Sequence, residues 1–240
     1  FDSVVGNPPY VRQELIPPAL LAVYRQKYAT LYDRGDLYVP FFERSLDLIG
    51  SDGRLVFICA NRWMKNRYGG PLRELIAGSY HLRAYVDMEG TDAFHSEVSA
   101  YPAITLVERT RSGPTLAAAR PEIEIQYLTR LAKALLGNAP DEALGVTAAA
   151  SPSPNGAPWV FGSSVKLELL RRVEAAFPAL EDVGCKVGIG VATGSDKAFI
   201  APFDELDVES SRKLPLATTR DIATGTVQWT GLGVVNPFED

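Results

Sequence analysis

The sequence predicts an α/β layered domain with a mainly parallel sheet. Short apolar runs typical of buried strands alternate with segments of helical periodicity, and turn residues separate the two. The run Arg54–Ala60 (RLVFICA) is almost continuously apolar, as in a strand that is buried on both faces of a parallel sheet. Alternation of such strands with helices therefore indicates a layered domain.

The elements follow one another along the first half of the chain. Apolar residues at helical spacing predict the helices, and Asp36 is a candidate cap for the second one. The predicted elements are strand Phe1–Val5, helix 19–30, a helix from Asp36 to about Ile49, strand Arg54–Ala60, helix 71–78, and strands Leu82–Met88 and Ala103–Glu108.

The composition changes after Arg109. Residues 110–122 and 137–158 are rich in Ala, Pro, Ser and Gly, which favours a flexible connection. A helix is predicted over 164–176, and a Gly-rich, β-like texture begins near Val183. We therefore expect a first domain over 1–110, a linker and irregular connection over 111–160, and a second domain over 161–240.

Composition narrows the class of protein. The apolar fraction of 46% and charged fraction of 22% are ordinary globular values, and no apolar run reaches the ~20 residues of a membrane helix. Cys59 and Cys185 lie in apolar sequence, so we expect two buried free thiols and an intracellular, cytoplasmic protein. His81, His95 and these cysteines show no metal-ligand spacing, so we expect no metal site.

Positive charge is concentrated in one segment although the net charge is −5. Between residues 54 and 83, six Lys/Arg side chains accompany one acid, Glu74. The pattern fits either a solvated face or a local phosphate-contacting surface. The six are Arg54, Arg62, Lys65, Arg67, Arg73 and Arg83.

The tetrapeptide Asn7-Pro8-Pro9-Tyr10, here named the NPPY loop, directly follows the first predicted strand. A ligand crevice opens at the carboxyl end of a parallel strand. Two prolines stiffen the loop and leave the Pro8 carbonyl free, and the Asn7 side-chain oxygen is a second acceptor nearby. Two such acceptors suit a planar amino group, and Tyr10 offers a flat face for stacking. The alternative is a proline-rich turn with a packing aromatic, but the position after a buried strand favours a site.

The segment FDSVVGNPPY resembles motif IV of amino-methyltransferases that use S-adenosylmethionine. The order of the later segments is similar to gamma-class DNA adenine-N6 methyltransferases, particularly the type IIG restriction–modification and phage-defence methylases. Asp36-Leu37-Tyr38 with Phe41-Phe42 falls at motif V, 53–76 at the next strand and loop, 93–109 at motif VIII, and 187–200 at the opening of the target recognition domain.

This resemblance implies a fold and a set of roles. The fold is the C-terminal half of a Rossmann-like methyltransferase sheet, followed by the start of a mixed α+β target recognition domain. Asn7 and Pro8, with Pro9 and Tyr10, bind the N6 group and stack on the target adenine, and Phe94 is a second aromatic on the flipped base. Asp36 and Phe41 border the adenosine of the cofactor. For Phe94 a core position, and for Asp36 a plain helix cap, remain the alternatives.

The implied cofactor is S-adenosylmethionine, and the implied partner is double-stranded DNA. The family's Gly-rich cofactor turn, which precedes motif IV, is absent, so we expect the N-terminal portion of the same polypeptide to supply it and this chain alone to be inactive. The later pairs Gly188/Gly190 and Gly231/Gly233 fit turn or strand glycines better.

Two other functions stay open. Similar NPPY motifs occur in methyltransferases that act on RNA or on protein glutamine, although these usually carry no appended recognition domain. The third reading is a DNA-specificity module without catalysis, which retention of Asn7 and Tyr10 disfavours.

Overall fold

A computed structural model describes residues 1–91, 101–137, 139–152, 154–161, 164–186, 193–223 and 225–237. The chain divides into two compact units, Phe1–Phe177 and Pro178–Asp240. The helix predicted over 164–176 therefore lies in the first compact unit, not in the second.

The first unit alternates strands and helices much as the sequence predicts. Its strands are β1 (Ser3–Gly6), β2 (Arg54–Ala60), β3 (His81–Asp87), β4 (Pro102–Glu108), β5 (Thr115–Ala119) and β6 (Thr147–Ala149). Its helices are α1 (Pro18–Lys27), α2 (Tyr38–Leu48), α3 (Arg62–Lys65), α4 (Gly70–Ser79), α5 (Ile125–Leu136) and α6 (Ser164–Ala176).

Among the described residues these six strands form one sheet in the order β1-β2-β4-β3-β5-β6. β1 is parallel to β2 and β3 is parallel to β5, whereas β4 runs antiparallel between β2 and β3, and β6 is antiparallel to β5. The sheet is therefore mixed, and the prediction of a mainly parallel sheet is wrong. The apolar run of β4 is equally compatible with either direction, so hydrophobicity alone does not encode its orientation.

Alternate residues of the strands feed two cores, one on each face. Leu55, Phe57 and Cys59 of β2 are buried with residues of α2 and α4. Ala84 and Val86 of β3 belong to the other core, which includes buried leucines of α5. Burial of each large apolar side chain contributes about 1.5–3 kcal/mol, so both faces of the sheet stabilise the fold.

The segment expected as a linker continues this sheet. β5 pairs with β3, β6 pairs with β5, and α5 between them buries Leu131 and Leu135. Small Ala side chains make β5 resemble a flexible segment, but three consecutive positions of this strand are fully packed, Leu116, Ala117 and Ala118.

The second unit contains a small antiparallel sheet in the order β7-β9-β8. Its elements are α7 (Asp196–Phe199), β7 (Ile200–Pro202), β8 (Lys213–Pro215) and β9 (Leu232–Val235). Gly231 has a φ of +87°, and a Cβ on Gly233 would lie 2.8 Å from a methyl carbon of Leu206. Both are turn or strand glycines, as expected, whereas Gly188 and Gly190 lie outside the described residues.

Two smaller expectations have different outcomes. Cys59 is buried, but Cys185 is exposed, so the prediction of a second buried thiol is wrong. Cys185 is followed by a charged lysine, and its apolar neighbours do not form a core around it. No helix in the described ranges is long and apolar enough to cross a bilayer.

Candidate active site

The NPPY loop begins where β1 ends. β1 and β2 are parallel and in register, with Gly6 opposite Phe57, so the loop lies at the carboxyl end of both strands. A Cβ on Gly6 would lie 3.2 Å from the Phe57 ring, so the absence of a side chain brings the loop close to β2. Pro8 is buried while Asn7 is exposed, so a rigid anchor holds an accessible amide.

Tyr10 lies against the end of β2. Its ring centroid is 6.1 Å from that of Tyr38 at an interplanar angle of 45°, and its side chain is 41% exposed. Partial burial raises the pKa of Tyr10 to about 12, the Cys59 thiol adds to the rise, and a hydrogen bond with the Ala60 backbone opposes it. At neutral pH, Tyr10 is therefore an uncharged phenol whose ring is partly exposed to solvent.

Helix α2 supports this ring from below. Tyr38 is fully buried, its hydroxyl lies 2.9 Å from the hydroxyl of Tyr68, and burial raises the pKa of both phenols. The Leu37 N–H donates to the Val11 carbonyl at 2.9 Å, which ties the exit of the NPPY loop to the start of α2. The loop is thus fixed at both ends.

Asp36 lies close to the NPPY loop and does not cap α2. The residue before the helix is Leu37, and Asp36 contributes only its carbonyl, which accepts from the Val39 N–H at 3.0 Å. Partial burial raises the pKa of the Asp36 carboxyl, and the nearby guanidinium groups of Arg12 and Arg62 oppose that rise. The plain helix-cap alternative for Asp36 is therefore wrong.

Phe41 faces a different surface. Its ring is 42% exposed and contributes to a groove of about 270 Å³. The lining residues are Tyr24, Tyr28, Leu37, Pro40, Phe41 and Arg44. Asp36 is not among them, so the structure does not bring the two cofactor candidates into one groove. Phe94 lies outside the described residues, and its predicted contact with the base stays a prediction.

Sequence reasoning missed Asn61, which stands at the end of β2 as Asn7 stands at the end of β1. Asn61 is buried, and its side-chain amide donates to the Tyr85 hydroxyl at 3.1 Å. Its backbone N–H donates to the Tyr101 carbonyl at 2.8 Å. The available signal was a polar residue directly after an apolar strand, the same signal that marked the NPPY loop.

The sheet and the loop at its edge define the class of Rossmann-like methyltransferase folds, as the motifs implied. The crystal structure of the type IIG restriction endonuclease BpuSI has the same general fold, with a TM-score of 0.50 at 16% identity over 99% of this chain and 31% of that one.

Sequence comparison shows what the chain is similar to. Residues 1–94 match the model of the Eco57I restriction-modification methylase family. The whole chain is 58% identical over 241 residues to the type II methyltransferase M.PaeR7I of Pseudomonas aeruginosa, and covers 42% of it. It is 50% identical over 244 residues to the type II methyltransferase M.XhoI of Xanthomonas vasicola, and covers 45% of it. The chain thus spans less than half the length of these relatives, and the predicted resemblance is confirmed.

Proposed function

We propose that the protein is a site-specific DNA methyltransferase that transfers a methyl group from S-adenosylmethionine to N6 of a flipped adenine. It would act in the cytoplasm, within a restriction–modification or related defence system. The observation that carries this proposal is the exposed Asn7 amide, held by buried Pro8 at the carboxyl ends of two parallel strands. The relatives that match this chain from end to end are named type II methyltransferases.

The chain's own contribution is to hold and orient the amino group. The Asn7 side-chain oxygen and the Pro8 carbonyl accept its two hydrogens. This arrangement favours an amino nitrogen whose lone pair is free for attack rather than conjugated with the ring. The same acceptors stabilise the positive charge that grows on this nitrogen during attack. Tyr10, neutral and half exposed, stacks on the base, and Phe94 is proposed to cover the opposite face. Rotation of the base out of the duplex is required because a stacked base cannot reach such a loop.

The cofactor, when bound, supplies the methyl group as an electrophile on a sulfonium. The exposed Phe41 ring and the aromatic walls of its groove fit the adenine part. At about 270 Å³ the groove is smaller than the roughly 300–1,000 Å³ of complete ligand pockets, so it fits a part of the cofactor only. Asp36, beside the NPPY loop, is proposed to act at the border of the adenosine, outside this groove.

A further part of the same polypeptide is proposed to complete the cofactor site. β1 is the edge strand of the described sheet, and the Val5 side chain is 76% exposed. Such an edge offers backbone groups and apolar surface to another strand. A segment preceding Phe1 that pairs with β1 would cover Val5 and bring a Gly-rich turn to the loop. The first unit, Phe1–Phe177, would then contain the catalytic half, and Pro178–Asp240 would be the start of the recognition domain.

The test is transfer of labelled methyl groups from S-adenosylmethionine by the full-length protein. Unmethylated duplex DNA, RNA and a protein extract are offered separately, and the labelled product is digested and identified. Label in N6-methyladenine from DNA is the expected result. Label confined to RNA or to protein glutamine would replace DNA with those substrates, and DNA binding without any transfer would favour a specificity module.

A further inference from the structure

The structure separates the six basic residues of 54–83 into two groups. Three contact other parts of the sheet and its helices, although Arg54 among them is 54% exposed. Arg54 pairs with Glu108 at 3.0 Å, Arg83 donates to the carbonyls of Leu136 and Gly137, and Arg73, 2% exposed, donates to carbonyls of the surrounding backbone. The other three, Arg62, Lys65 and Arg67, are exposed. These three lie on residues 62–67, which we name the basic turn.

The basic turn has one buried face and one charged face. Trp63 and Met64 of α3 are fully buried, and Trp63 packs against Phe42 at 5.3 Å between ring centroids. Arg62 and Lys65 flank these anchors and point into solvent, one helical turn apart, or about 4.5 Å along the axis. The apolar anchors fix where the cations stand.

Arg73 makes this turn rigid. Its guanidinium donates to the Trp63 carbonyl, to the Asn66 carbonyl at 2.9 Å and to the Gly156 carbonyl at 2.6 Å. A Cβ on Gly69 would lie 1.8 Å from the Trp63 carbonyl oxygen, so only glycine allows the chain to close here. A rigid backbone lowers the entropy that its exposed side chains lose when they bind a ligand.

The basic turn directly follows the strand end on which Tyr10 rests. The Tyr10 phenol lies near Cys59 and the Ala60 backbone, and Arg62 is two residues beyond Ala60. The guanidinium of Arg62 lies 5.3 Å from the centroid of the Tyr101 ring. That of Arg67 lies 6.0 Å from the centroid of the Tyr32 ring and donates to its hydroxyl at 3.2 Å. Two of the three cations of the basic turn therefore lie over aromatic rings.

We propose that Arg62, Lys65 and Arg67 bind the phosphate backbone of DNA next to the target nucleotide. This inference rests on the proposed function and assigns it a docking surface. A polyanion is the partner that fits, because three exposed cations cluster on a chain whose net charge is −5. Asp33 lies near Arg67 and Asp36 near Arg62, so three cations and two carboxylates leave this surface net positive. Planar guanidinium groups on aromatic rings suit phosphate and nucleic-acid contacts.

The test measures binding of the full-length protein to fluorescent duplex DNA across a salt series. The variants are Lys65→Gln, Arg67→Gln and the triple variant R62Q/K65Q/R67Q. The control is Arg54→Gln, which removes the same charge at the opposite end of β2. Each lost phosphate contact lowers the slope of log affinity against log salt by about 0.9, and weakens binding about eightfold near 0.1 M salt. The control leaves slope and affinity unchanged.

A triple variant with the wild-type slope, at a wild-type melting temperature, would overturn the inference. If the triple variant does not fold, the salt slope of Lys65→Gln decides instead, because this substitution changes only one exposed side chain. Failure of this surface is distinguishable from failure of the proposed function. In the first case methylated adenine still appears in DNA with an unchanged salt slope, and in the second no variant or parent labels DNA.

Discussion

Two neighbouring strands are each followed directly by an asparagine, and one of these side chains is exposed while the other is buried. β1 is followed by Asn7, which is exposed beside a buried proline, and β2 is followed by Asn61, which is buried and hydrogen-bonded to Tyr85. The strands are parallel and adjacent, so both amides lie at one edge of the sheet. An amide at a strand end is available to a ligand only when the fold leaves its side chain exposed.

At the β2 end, the buried Asn61 amide belongs to a region that contributes to stability. Its following turn is held by Trp63 in the core and by Arg73 beneath the backbone. The β1 end has a stiff loop instead, with Pro8 and Tyr10 as its anchors. Mutation of Asn7 at the β1 end should therefore change transfer, and mutation of the buried Asn61 or Arg73 at the β2 end should change stability.

Asn7→Ala is expected to have the largest effect. Methyl transfer should fall about 100- to 1000-fold, because one of two acceptors for the reacting amino group is lost. The melting temperature should stay unchanged, since the side chain is exposed. Single-turnover transfer with labelled cofactor measures the first and calorimetry the second. Transfer within twofold of the parent would remove Asn7 from the proposed site.

Arg73→Leu should lower the free energy of unfolding by about 3 kcal/mol. The substitution removes the Arg73 donor from the buried Trp63 carbonyl and from the partly buried Gly156 carbonyl, at about 1–3 kcal/mol each before relaxation. Arg54→Leu is the matched control, because it breaks a partly exposed pair with Glu108 that contributes at most about 1 kcal/mol. Urea titration compares the two. Equal losses would mean that Arg73 is no more structural than a surface cation.

Asn61→Ala should cost about 1–2 kcal/mol of stability, with little effect on transfer at low temperature. The Tyr85 hydroxyl loses its hydrogen-bond donor in a buried position. The double variant N61A/Y85F should recover part of the loss, because both polar groups are then gone. A large loss of transfer by a fully folded Asn61→Ala protein would contradict the division between the two strand ends.

The smallest effect is expected for Tyr10→Phe. A pKa of about 12 keeps the phenol neutral up to about pH 11, so removal of its proton has no part in transfer between pH 7 and 9.5. Transfer should stay within about threefold, whereas Tyr10→Ala should lose the stacking of one base, about 1–3 kcal/mol. A pH dependence that disappears in Tyr10→Phe within this range would contradict the stacking role.

The raised phenol pKa values also set an alkaline limit to stability. Folded Tyr10 and Tyr85 have pKa values of about 12, above the ordinary value of 10, and burial raises that of Tyr38 as well. Their contribution is therefore complete below about pH 10 and is lost as pH rises from 10 through 12. The free energy of unfolding should be flat from pH 7 to 9.5 and fall above 10, and the fall should be shallower in Tyr38→Phe.

Sequence predicted what depends on local pattern. The bounds of β2 follow from its continuous apolar run, and the position of the NPPY loop follows from the strand before it. The direction of β4 does not follow, because strand orientation depends on which neighbours it pairs with. Hydrogen bonding over long separations is equally invisible: Arg73 finds an acceptor in Gly156, 83 residues away. Asp36 lies one position before Leu37, the residue that caps α2, a difference that periodicity does not resolve.

The contacts of the segment 154–161 determine where this protein can be recombined with its relatives. Its Pro- and Gly-rich composition suggests a natural splice point for exchanging the second unit. Yet the backbone N–H of Trp159 donates to the Met64 carbonyl at 2.8 Å, and the Trp159 ring packs on Trp63 at 5.6 Å between ring centroids. A chimera joined upstream of Trp159 would take this side chain from the wrong parent. A junction between Phe177 and Pro178 keeps the first unit whole.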